Sequence, residues 1–65
     1  HLEEAIVHYT ETLRLRPHSG YAHYNLGVAL AKQGRLAEAR QHVAEALRLD
    51  PTHVAARRFL ERSGQ

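Results

Sequence analysis

Six histidines among 65 residues are the first feature of this sequence with chemical potential. Neutral imidazoles hold zinc when several ligands converge on one ion at about 2 Å. Here the spacing disperses them. His8 and His42 stand 34 residues apart, on equivalent turns of two helices whose axes would lie roughly 10 Å apart, too far to share an ion. His18 and His53 sit beside Pro17 and Pro51 in connecting turns, and His23 faces a neighbouring helix. With no cysteine, and with Asp50 the only aspartate, no metal site is expected. The hydroxyls are no better placed for catalysis. Ser19 and Ser63 fall at a helix start and near the chain end, and neither lies in a nucleophile elbow or a phosphate loop. Glu3, Glu4, Glu11, Glu38, Glu45 and Glu61 occupy the polar faces of predicted helices, where they serve solubility. The expectation is a protein that is not an enzyme and uses no cofactor.

Composition narrows the class further. A chain of 65 residues supports one small domain, whose core alone leaves a net stability of only about 3–5 kcal/mol. Without cysteine no disulfide can add to that. Hydrophobic residues at 43% and charged residues at 25% are ordinary for a folded chain, so disorder is not expected. No apolar run approaches the roughly 18–20 residues of a membrane span, and HLEEAIVHYTET lacks the basic flank and apolar stretch of a secretory signal. A soluble, cytoplasmic setting without membrane contact is the expectation. The chain has no methionine, which reads as a segment of something longer. Eight arginines and one lysine leave a formal charge of only +2. Scattered along helices, such arginines are expected to pair with glutamates at i,i+4 and not to bind nucleic acid.

The elements that position these groups follow from an internal repeat. LRLRP at residues 13–17 returns as LRLDP at 47–51, and a shift of 34 also superposes Leu2 on Leu36, Glu4 on Glu38, Ala5 on Ala39 and His8 on His42. A period of that length marks stacked supersecondary units, none of which can bury its apolar face alone. Leu36, Ala39, Val43, Ala46 and Leu47 follow a helical period, as do Leu2, Ala5, Tyr9, Thr12 and Leu13. Between them His23, Leu26, Gly27 and Leu30 mark another helix face. Gly34 is suited to the left-handed residue that ends a helix, and the link to Leu36 is short enough to force antiparallel neighbours. Gly27 and Ala39 leave room for close approach of two backbones, which must offset about 1 kcal/mol of lost helix propensity at the glycine. Pro17 and Pro51 stop the preceding helices, Ser19 and Thr52 are candidate caps, and Thr12 can bond back to its own helix. The prediction is an all-α chain of four helices at about 2–15, 20–33, 36–49 and 53–63.

YNLGVALAKQGRLAEARQHVAEALRLDP resembles a tetratricopeptide repeat. Leu26 and Gly27 match the leucine–glycine pair of that motif, Ala39 and Ala46 its two alanines, and Pro51 its proline, with Pro17 the equivalent proline of a preceding unit. His23, Leu30 and Val43 stand where the motif has tryptophan, tyrosine and a later aromatic, so this unit carries less aromatic bulk, and Arg35 replaces the usual polar helix starter. The resemblance implies antiparallel helix pairs of a right-handed α–α superhelix. Residues 20–53 form a complete unit, residues 1–19 the second helix of a preceding one, and residues 54–65 the first helix of a following or capping one.

It also implies a protein–protein interaction module. First helices of successive units line a concave face that holds a peptide or helix of a partner, and here that face would carry Tyr21, Tyr24, Asn25, Val28, Lys32, Arg58, Phe59 and Arg62. Two tyrosines offer rigid apolar area with a polar tip, and Arg58 with Arg62, one turn apart, could grip an acidic or carboxylate-ended peptide. Ala55 and Phe59 stand where related chaperone-binding proteins have basic clamp residues, so the clamp of those proteins is incomplete here. The alternative is a homo-oligomer. The unpaired terminal helices would stack head to tail, provided the stripe of Leu2, Ile6, Tyr9 and Leu13 finds apolar cover in another copy.

Overall fold

The computed structural model describes residues 1–63 and contains four α-helices, α1 (Leu2–Leu15), α2 (Gly20–Lys32), α3 (Leu36–Leu49) and α4 (Val54–Ser63). The helix bounds match the sequence prediction except that α2 ends one residue early and α4 begins one residue late. Gly64 and Gln65, the end of the half unit predicted at 54–65, lie outside the described residues. Each helix packs on the next in chain order, with α2 against α3 the most extensive pairing.

The α2–α3 hairpin rests on two glycines with different duties. Gly34 has φ +81°, and the bonds around it close a Schellman motif: its N–H donates to the Ala31 carbonyl at 2.9 Å and the Arg35 N–H to the Leu30 carbonyl at 3.0 Å. Gly27 is needed for space. A Cβ added there would stand 2.5 Å from Val43 Cγ2 and 3.0 Å from the Ala39 carbonyl oxygen. The absent side chain lets α2 settle onto Ala39, Val43 and Ala46, all fully buried.

Two small clusters make up the core. Leu26, Leu30 and Ala39 are flanked by Ile6, Tyr9 and Leu13 of α1, and Val43, Ala46 and Ala56 by Tyr24, Leu47 and Leu60. Phe59 touches both and joins them. The α1 stripe that the assembly reading left uncovered is therefore already in use, since Leu2, Ile6, Tyr9 and Leu13 are all half-buried and the last three lie on the core. Leu36, placed on the apolar stripe of α3 by its period, is instead 53% exposed, because it stands at the first helical position beyond the link.

The turns obey the 34-residue period more closely than the sequence prediction did. Ser19 caps α2 by accepting the Ala22 N–H at 3.2 Å. The equivalent cap of α4 is His53, whose Nδ1 accepts the Ala56 N–H at 3.1 Å. Thr52, the expected cap, lies one residue too early. Its N–H and its hydroxyl both donate to Asp50 Oδ1, at 3.1 and 2.6 Å. Thr12 bonds back to the His8 carbonyl at 2.9 Å as expected. The ion pairs differ from expectation in spacing, joining Glu11 to Arg14, Arg35 to Glu38 and Glu45 to Arg48 at i,i+3 rather than i,i+4.

Two substitutions separate the roles of the glycines. Gly27→Ala is expected to destabilise the chain by about 1–3 kcal/mol through overpacking, despite alanine's better helix propensity. Gly34→Ala, with nothing within 4 Å to clash, is expected to cost roughly 1 kcal/mol through its backbone conformation, and Gly34→Asn to recover part of that. Urea unfolding followed by circular dichroism checks both, and a neutral Gly27→Ala would contradict the close approach.

Candidate functional site

On α2 the residues Tyr21, Asn25, Val28 and Lys32 recur at spacings of four, three and four, and so share one stripe of the helix. Tyr21 is 67% exposed, Lys32 is exposed, and Asn25 and Val28 are half-buried. The Asn25 amide donates to the Tyr21 carbonyl at 2.8 Å, so one of its polar groups is spent on its own helix. Tyr24 lies beside this stripe and packs against the cluster of Val43, Ala46 and Ala56. On α4 both Arg58 and Arg62 are exposed, while Phe59 is half-buried between the two core clusters. Its ring is committed to holding α4 in place. Phe59 and Arg62 meet Ala31, Leu36 and Ser63 around a shallow depression of about 350 Å³.

Two aromatic neighbours enlarge the surface beyond the predicted residues. Tyr9 of α1 meets Tyr21 edge to face, with ring centroids 6.0 Å apart and planes at 72°. The His53 ring lies 4.7 Å from that of Tyr24, tilted by 41°. Repeat equivalence between Ser19 and His53 could have flagged the histidine at the head of α4. Nothing in the sequence pairs Tyr9 with Tyr21, because that contact depends on how α1 lies across α2.

Charge is distributed unevenly. Arg14, Arg35 and Arg48 are each held by a glutamate. In return they keep the Glu11, Glu38 and Glu45 carboxyls below the usual range. Arg57 donates to the Pro51 carbonyl at 2.8 Å. Among the described residues Arg16, Lys32, Arg40, Arg57, Arg58 and Arg62 have no carboxylate at ion-pair distance, and Lys32, Arg58 and Arg62 are the members of this set on the predicted face. The predicted face thus bears three uncommitted cations, and exposed cations of this kind are available to an acidic ligand at little desolvation cost.

Among the described residues no group of three or more His, Cys, Asp or Glu side chains could hold a metal ion, and no helix is long and apolar enough to cross a membrane. A model of the tetratricopeptide repeat family matches residues 1–54. No curated protein and no solved structure matches the chain.

The site residues divide into structural and surface members, and stability measurements distinguish them. Phe59→Ala is expected to cost about 2–4 kcal/mol, toward the lower end of core aromatic truncations because the ring is only half-buried. Arg58→Ala and Arg62→Ala are each expected to stay within about 0.5 kcal/mol of the unsubstituted chain. A Phe59→Ala chain of full stability would free that ring for a binding role.

Proposed function

Because this chain belongs to the tetratricopeptide repeat family, we propose that it is a protein–protein interaction module that takes an acidic or carboxylate-ended peptide along the face of α2 and α4. The observation that carries this reading is the set of cations Lys32, Arg58 and Arg62, unpaired among the described residues, beside the exposed ring of Tyr21. Arginine guanidinium groups suit carboxylates because their parallel N–H donors match both oxygens. Tyrosine adds apolar area at small entropic cost. Two first helices form only a short face, so affinity from this segment is weak, below that of interfaces burying roughly 800 Å² per partner.

Head-to-tail self-assembly has less support. In that arrangement α4 of one copy would meet α1 of the next as α2 meets α3. The 34-residue shift then puts Glu61 in the place of Gly27 and sets it against Tyr9, the counterpart of Val43. The original contact admits not even one added Cβ. A glutamate facing a tyrosine there would hold the two helices apart.

Fluorescence titration with a labelled acidic peptide tests the reading. Binding is expected to weaken as salt rises, and Arg58→Ala with Arg62→Ala to lower affinity roughly threefold to tenfold. Indifference to both would refute it. Sedimentation across a wide concentration range is expected to show a monomer, and a ladder of oligomers would favour the stacked assembly instead.

A further inference from the structure

Two histidines that no sequence spacing connects meet across the α2–α3 interface. His23 and His42 stack with ring centroids 5.4 Å apart and planes at 28°, and their Nδ1 atoms stand 3.1 Å apart. The other ring nitrogen of His23, Nε2, lies 2.9 Å from the Pro17 carbonyl oxygen. A carbonyl can only accept, so His23 Nε2 carries a proton. In the neutral ring His23 Nδ1 is then a lone pair, and the bond across the interface is donated by His42 Nδ1–H. A single line of donors runs from α3 through α2 into the turn that follows α1.

The surroundings add few compensating charges. From α3, Glu38 stands one turn before His42 and is engaged by Arg35, while Glu45 is engaged by Arg48 and lies near His23 and His18. From α1, the residues sharing a groove with His42 are Ile6, Thr10 and Leu13, none of them charged. Within α2 the other ionisable side chains are Tyr21, Tyr24 and Lys32, and the preceding turn contributes Arg16 and His18.

We propose that the His23–His42 pair is a proton-limited latch between α2 and α3, closed when the pair holds at most one extra proton and forced open by the second. The first extra proton is compatible with closure on either ring: one Nδ1–H still donates across the interface to the other ring's Nδ1 lone pair, and the bond becomes charge-assisted. A second leaves both Nδ1 atoms protonated. Two N–H groups then face each other at a distance set by the helices, and two positive rings are stacked. Burial first, and then the charge of His23, keep His42 below the ordinary histidine value, with Glu38 opposing them only in part.

The sign follows from proton counting. Below about pH 6.5 the unfolded chain charges both histidines, while the folded chain holds one proton fewer. Unfolding therefore takes up a proton, and stability falls with falling pH. The carboxyls of Glu11, Glu38, Glu45 and Asp50 are held below their usual range. Their own losses come at still lower pH, leaving the window from about 6.5 to 5 to the histidines.

The experiment has two arms on the 65-residue chain. NMR titration of the imidazole resonances, needing no substitution, is expected to show His23 and His42 coupled, with two separated steps and a bridge lost at the second. Both rings charging independently near the ordinary histidine value while the chain stays folded would overturn the latch. The second arm measures the folding equilibrium by urea between pH 6.5 and 5, in a His53→Ser background that removes the other bond needing an unprotonated ring nitrogen. The folding constant is expected to fall severalfold per pH unit, toward the limit of about tenfold for one proton. Adding His42→Gln, which can still donate to His23, is expected to abolish most of that slope. An unchanged slope in that variant would overturn the proposal equally.

Discussion

The contact on which the structure depends is the seat of Val43 against the bare backbone of Gly27. It sets the distance between α2 and α3, and that distance decides what can meet across them. With the two helices this close, three alanine and valine side chains suffice to close the interface, and a link of Gln33, Gly34 and Arg35 spans it. The same proximity brings the His23 and His42 rings together, a contact a wider helix pair would not permit. Glycine here carries an intrinsic cost to the helix, and packing offsets it. Small residues therefore govern the architecture more than large ones do. Phe59 is the exception, because its ring bridges the two core clusters and so ties α4 to the central hairpin.

Around that hairpin the 34-residue equivalence governs the hydrogen bonding as well as the helices. Glu11–Arg14 and Glu45–Arg48 are the same pair one unit apart. Ser19 and His53 cap equivalent helices with different chemistry, a hydroxyl and an imidazole accepting the same N–H. His23 and Arg57 both return a side-chain nitrogen to the carbonyl of the proline six residues before. Breaks in the equivalence carry information of their own. Where α2 has Gly27, α4 has Glu61, and where α3 has Val43, α1 has Tyr9. These outer helices keep the inward faces of the repeat but not the small residues that would admit another helix in the same geometry. That difference is what weakens the assembly reading relative to the binding one.

What marks the face of α2 and α4 is the placing of cations, unpaired among the described residues, beside aromatic rings. Three arginines are neutralised by glutamates on their own helices or at the α3 start, and these pairs stabilise only modestly because they are solvated. The cations along α2 and α4 lack such partners among the described residues, and an aromatic pair of half-buried Tyr9 and exposed Tyr21 lies alongside. Phe59 shows why position on a helix is a poor guide to role. Its counterpart in α2, Asn25, lies on the surface stripe, yet the Phe59 ring turns into the core because α4 leans on α2 and α3 together.

By itself, the sequence determined the helices, the antiparallel hairpin and the repeat register, because these rest on local properties: apolar period, proline stops, and a glycine able to take positive φ. Thr12 back-bonding and the Ser19 cap were legible for the same reason. The cap at His53 was not, since imidazole is an unusual acceptor there and Thr52 looked the better candidate until the register placed it one residue early. Only the tertiary structure decided that the α1 stripe is covered, that Leu36 is exposed, that Phe59 belongs to the core, and that His23 meets His42. Each of those depends on the angle and distance between helices. Those follow from many small packing choices summed over an interface, which no short stretch of sequence contains.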